Sequence, residues 1–208
     1  MGTMDIETMA LKDKDKHIPI CISIYTSELR QVFLINKEVV LTDPNKAVQL
    51  LWKDFFNYII THKIDVIFAH NLGGFDGLFI YKGLCSYTNL SNFSCLMDDQ
   101  NKFISITLNM MNLKIVFKDS YRIFPLKLEK LAEAFGVPGK LLDFDVSKLS
   151  LQMFKDNNNI MIDRLIEYNL QDTVCLYNIL EIARKRYLLN YKIDIANIIF
   201  TFAIFINL

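Results

Sequence analysis

Asp5 and Glu7 stand one residue apart in a short strand-like segment, so strand alternation turns both carboxylates to the same face. Two neighbouring carboxylates repel each other unless a cation sits between them. Asp76 follows the break Asn71-Leu72-Gly73-Gly74 at the head of a predicted helix, where α/β proteins commonly place their chemistry. Tyr168 and Asp172 are four residues apart on a late predicted helix and share one of its faces. Each feature alone has an ordinary reading: a solvated strand end, a helix-capping aspartate, a packed tyrosine beside an aspartate held by a backbone donor. Together, Asp5, Glu7, Asp76 and Asp172 form a set able to hold two divalent metals about 3.5–4 Å apart, the arrangement for phosphodiester hydrolysis. The Tyr168 hydroxyl, donor and acceptor at once, would position the attacking water. His17, His62 and His70 lack zinc-chelating spacing, and His70 reads as a polar strand end.

The elements that must carry these residues follow from pattern. Met4 to Thr8, Ile18 to Tyr25 and Gln31 to Ile35 read as strands, with a charged connector from Leu11 to His17. Pro44 opens a helix over Lys46 to His62, with Val48, Leu51, Trp52, Phe55 and Ile59 at helical spacing. Asp65 to Ala69 is a short apolar run suited to a strand buried on both faces, and Phe75 to Leu84 resumes as helix. Two strands, Phe103 to Leu108 and Leu113 to Phe117, precede a helix over Pro125 to Phe135 closed by Gly136, then a long helix over Ile160 to Tyr187. This order predicts an α/β fold of the RNase H-like type, with a mixed central sheet flanked by helices.

Composition narrows the classes. The 208 residues carry 23 Lys+Arg against 23 Asp+Glu, so any nucleic-acid contact must come from local patches. With 52% hydrophobic residues, disorder is excluded as the main state. The apolar stretch Ile195 to Leu208 is too short to span a bilayer, and the N-terminus resembles neither a signal nor a transit peptide, so no membrane partner is expected. Four dispersed cysteines without a CxxC pair suit a reducing interior. Lys12, Lys14 and Lys16 form one basic group near the acids; Lys114, Lys118, Arg122, Lys127 and Lys130, interleaved with Phe117, Tyr121 and Phe124, form a second, suited to single-stranded DNA or simply to solvent.

The motifs resemble those of a known family. Asp5-Ile6-Glu7-Thr8 is similar to the first exonuclease motif of family B DNA polymerases, Asn71 to Asp76 to the second, and Tyr168 to Asp172 to the third. The strings HNLGGFDG, DSYRIFPLKLEKLAEAFG and EYNLQDTVCLY most resemble the protein-primed branch of phages and linear mitochondrial plasmids. The resemblance implies a DnaQ-like 3′-5′ exonuclease domain over residues 1–187 with a shortened first strand, then the start of a missing polymerase domain at 188–208. It implies that Asp5, Glu7, Asp76 and Asp172 bind two Mg²⁺ or Mn²⁺ ions while Tyr168 orients water. Thr8, Asn71 and Phe75 would hold the 3′ end of single-stranded DNA, and Ser120 with Tyr121 would match a strand-binding motif in which leucine is usual at the second position. Lys140 is the nearest match to a catalytic lysine, with a solvated loop lysine as its other reading. A terminal protein and the polymerase domain are implied partners, DNA replication the process and the mitochondrion the setting. No polymerase carboxylate motif lies within the chain, so it is expected not to extend a primer. Two other readings stand beside this one: an inactive DNA-binding remnant of such a polymerase, and a stand-alone RNase H-like nuclease.

Overall fold

The computed structural model describes residues 1–11, 16–139 and 144–198. Lys12, Lys14, Lys140 and the apolar tail from residue 199 lie outside the described residues. Seven strands, β1 (Gly2–Ala10), β2 (His17–Tyr25), β3 (Arg30–Leu34), β4 (Val66–Ala69), β5 (Phe93–Met97), β6 (Phe103–Met110) and β7 (Leu113–Asp119), form one sheet. Their order is β3-β2-β1-β4-β7-β6-β5. The β1–β4 and β4–β7 pairs are parallel and the remaining pairs antiparallel, which makes the sheet mixed, as expected. The helices are α1 (Lys37–Thr42), α2 (Pro44–Thr61), α3 (Asp76–Tyr87), α4 (Leu128–Phe135), α5 (Leu151–Lys155) and α6 (Asn159–Tyr191).

Alternation on the central strand β4 divides the core. Ile67 joins the cluster containing Trp52, Phe55 and Phe56 of α2 and Ile80 of α3. Phe68 points the other way, into a cluster with Leu131 of α4 and Leu176, Ile179 and Leu180 of α6. The strand is therefore covered on both faces, which is why it reads as an unbroken apolar run. Local chemistry sets the helix ends. The Asp43 carboxylate accepts from Lys46 N at 3.0 Å and Pro44 occupies the first turn of α2, where a missing N–H costs nothing. Gly136 ends α4 at φ 67°, a left-handed cap that a side chain would strain.

Several elements differ from expectation. The helix predicted from Pro125 begins only at Leu128, because Leu126 N bonds back to Phe124 O in a tight turn and Leu126 O accepts from or faces His70 Nε2 at 2.8 Å. Strand β5 and helices α1 and α5 were not legible; β5 is an edge strand with Leu96 and Met97 exposed, so it carries no clean alternation. β1 runs over nine residues, and α6 continues past Tyr187 to Tyr191 without interruption.

Candidate functional site

β1 presents Thr3, Asp5 and Glu7 on one face, while Met4 and Ile6 of the other face are buried in the core. On β2 the residues opposite Asp5 and Glu7 are Ser23 and Cys21. The register then shifts, with Glu7 opposite Cys21 and Thr8 opposite Pro19, so Ile20 is the extra residue of a bulge. Such a bulge bends the pair and re-aims the side chains beyond it. Thr8 Oγ1 lies 3.3 Å from His17 Nδ1 at this bend.

Helix α6 crosses that face and is fastened there by buried hydroxyls. Thr3 Oγ1 donates to Thr173 O at 2.8 Å, and Ser23 Oγ donates to Asn169 O at 3.0 Å. Ser23 and Thr173 also bond through their hydroxyls. This docking sets Asp172 against the strand acids: one carboxylate oxygen from each of Asp5, Glu7 and Asp172 lies within 4.8 Å of the others. Asp172 is buried, whereas Asp5 and Glu7 are half-buried. Tyr168 sits one turn earlier on the same helix face, its ring 5.0 Å from that of Phe144.

Asp76 stands outside this trio yet within reach of its charge. It is buried at the first turn of α3, and the cap position is Phe75 with no side-chain hydrogen bond, so Asp76 does not serve as the helix cap. Burial pushes its carboxyl well above the ordinary carboxylate range, and the negative charges of Asp5, Glu7 and Asp119 push it further. The donor set is all carboxylate oxygen, which fits a hard cation such as Mg²⁺ or Mn²⁺. The nearby Cys21 does not alter that: burial first, then Glu7 and Asp5, raise its thiol and keep it protonated.

The turn before α3 carries the remaining predicted residues. Asn71 adopts φ 65° and is exposed, and Phe75 is 45% exposed, its ring edge-on to Phe79 at 5.1 Å. Gly73 N donates to Asp119 Oδ2 at 2.9 Å, and a Cβ on Gly73 would lie 2.6 Å from Phe103 O, so only glycine lets the turn dock there. Asp119, which sequence reasoning missed, also accepts from Tyr121 N at 2.9 Å. It thereby ties the Gly73 turn to the Ser120–Arg122 segment. Ser120 is fully buried, its hydroxyl 3.0 Å from His70 Nδ1 and donating to Ala69 O at 3.2 Å, so as placed it braces His70. Tyr121 is 39% exposed and lines a cleft of about 310 Å³ with Asn71, Gly73, Lys102 and Arg122.

The second basic group is not a continuous aromatic surface. Phe117 and Phe124 are core residues, Arg122 pairs with Asp98 at 2.5 Å, and Lys130 pairs with Glu133 at 3.0 Å. Lys118 donates to Ala196 O and Ile198 O at 2.6 and 2.9 Å. On β7 alternation sends Lys118 and Phe117 to opposite faces, which linear spacing alone conceals. No helix among the described residues is long and apolar enough to cross a membrane.

A mixed sheet with helices on both faces carries an acid trio where its first strand meets α6, and this α/β fold is like part of solved polymerases. Phi29 DNA polymerase complexed with primer-template DNA and incoming nucleotide superposes with a TM-score of 0.67 at 16% identity, over 90% of this chain and 31% of that one. The same polymerase complexed with single-stranded DNA gives 0.65 at 15% identity, over 90% of this chain and 32% of that one. Residues 57–194 match the family of DNA polymerase type B, organellar and viral, and the chain belongs to that family. A probable DNA polymerase of Agaricus bitorquis is 24% identical over 67% of this chain and 19% of its own length. A probable DNA polymerase of Neurospora intermedia is 25% identical over 85% of this chain and 21% of its own length. The chain thus spans about a fifth of these fungal relatives.

Proposed function

We propose that this chain is the 3′-5′ exonuclease portion, RNase H-like in fold, of a protein-primed family B DNA polymerase, removing nucleotides from single-stranded DNA ends for proofreading during replication. The observation that carries the reading is the convergence of Asp5, Glu7 and Asp172 within 4.8 Å beside buried Asp76. Like charges so gathered are costly without a cation. Asp5, Glu7 and Asp172 would hold the metal, with Asp76 completing a two-ion set. Two Mg²⁺ or Mn²⁺ ions bound there would supply charge to the attacking water and to the leaving 3′-oxygen.

The chain's own groups would do the rest. The Tyr168 hydroxyl orients the water, while packing against Phe144 holds its ring. The exposed rings of Phe75 and Tyr121 offer stacking faces for terminal bases, and the Asn71 amide and Thr8 hydroxyl offer polar contacts. Ser120 acts through His70, and Lys140 remains the candidate for a further cationic contact. A terminal protein and the polymerase domain are the partners this reading implies, and the organellar character of the family favours a mitochondrial setting. The test is end-labelled single-stranded DNA incubated with the purified chain and Mg²⁺ or Mn²⁺. Stepwise shortening from the 3′ end is expected, lost in Asp5→Ala and in excess chelator. Shortening that survives chelator would sink the reading, and a wild-type chain that binds DNA without cutting it would return the inactive-remnant reading.

A further inference from the structure

Asn169 is fully buried on α6, one residue beyond Tyr168, and every polar group of its side chain is engaged. Its Nδ2 donates to Asp5 Oδ2 at 2.8 Å, and its Oδ1 accepts from the Cys21 thiol at 3.5 Å. An ionised carboxylate only accepts, so the amide must turn its N–H₂ end to Asp5 and its carbonyl to the thiol. The backbone at this turn is also held, since Asn169 O accepts from Ser23 Oγ at 3.0 Å and lies 3.0 Å from Thr173 Oγ1. The amide therefore cannot swing away from Asp5 without breaking a buried network.

We infer that Asn169 is a positioning residue that fixes the Asp5 carboxylate for a divalent cation, an inference that rests on the metal-site reading above. The residue type matters. A lysine or arginine here would hold Asp5 but would neutralise it and compete with the cation. A neutral amide orients the carboxylate and adds no positive charge to the trio. A leucine would fill the same space and remove the orienting hydrogen bond to Asp5 Oδ2.

The experiment is calorimetric titration of Mn²⁺ alone into the metal-free 208-residue chain, with DNA absent. Asn169→Leu should weaken Mn²⁺ binding by about tenfold or more, the usual cost of losing a group that orients a metal ligand. In an Asp5→Asn background the same substitution should add no further weakening, because the effect runs through Asp5. Cys21→Ala, which deletes the thiol that anchors the amide, should weaken binding less and in the same direction. Wild-type Mn²⁺ affinity in folded Asn169→Leu would overturn the inference, as would an equal further loss in the Asp5→Asn background. If Asn169→Leu does not melt cooperatively, unchanged affinity in Cys21→Ala overturns it instead. A wild-type chain that binds no Mn²⁺ removes the metal-site reading itself, an outcome distinct from a binding wild type with an unaffected variant.

Discussion

Two charge clusters, one at the middle of α6 and one toward its C-terminus, are built on contrary logic. Near its middle, Asp172 joins Asp5 and Glu7, and the carboxyl of nearby Asp76 is raised by burial first and then by the charges of Asp5, Glu7 and Asp119. Toward its C-terminus, Arg184 donates from Nε and a terminal nitrogen to both oxygens of Asp194, each at 2.7 Å. Those hydrogen bonds hold the Asp194 carboxyl below the ordinary range. Lys118 nearby donates to the carbonyls of Ala196 and Ile198, and burial lowers its ammonium. The second cluster satisfies itself and needs nothing from outside. The first accumulates one sign of charge, which is how a site built for a ligand differs from a structural ion pair.

The sharpest way to break this contrast is to remove a member of the acid trio. Asp172→Ala should abolish metal-dependent hydrolysis and weaken Mn²⁺ binding, while the metal-free fold melts no lower than wild type because repulsion is relieved. A large fall in melting temperature with chelator present would mean that Asp172 is structural. Tyr168→Phe deletes only the hydroxyl and should slow hydrolysis by about 10²–10⁴-fold, with Mn²⁺ and DNA binding nearly unchanged. Full rate in that variant would reduce Tyr168 to core packing.

The two clusters should also respond to pH with opposite signs. The folded-state pKa of Asp76 is raised, so its stabilisation is complete below the unfolded value of about 3.9 and disappears as pH rises through the folded value. With chelator present, the melting temperature should therefore fall across that rise, and Asp76→Asn should flatten the profile. Asp194 has a lowered pKa, so its contribution is present above about 3.9 and is lost as pH falls through the folded value. Arg184→Ala should remove that acid limb and cost about 1 kcal/mol near neutrality, measured by denaturant titration. The smallest effect belongs to the exposed Lys130–Glu133 pair, where Lys130→Ala should leave the denaturant midpoint unchanged.

Local signals were readable wherever one strand or helix carried its own pattern. The apolar run of β4, the helical spacing of Trp52 and Phe55 in α2 and the stop at Gly136 needed no partner to be recognised. Strand parity put Asp5 and Glu7 together, and helix periodicity put Tyr168 with Asp172. Edge strand β5 escaped because exposure on both faces erases alternation. The second basic group misled because linear spacing does not reveal that Lys118 and Phe117 leave β7 on opposite faces, or that Asp98 claims Arg122.

The sequence by itself thus determined the order and facing of the acids within each element, since those depend on backbone periods of two and 3.6 residues. Only the tertiary structure decided that residues 164 positions apart, Asp5 and Asn169, meet at 2.8 Å. It alone separated Asp76 from the trio, set Ser120 behind His70 and gave Asp119 its role at the Gly73 turn. The physical reason is that an amide, a hydroxyl or a carboxylate has no role until its opposite group is in place. That pairing is set by how β1, β2 and α6 dock, which no local pattern encodes.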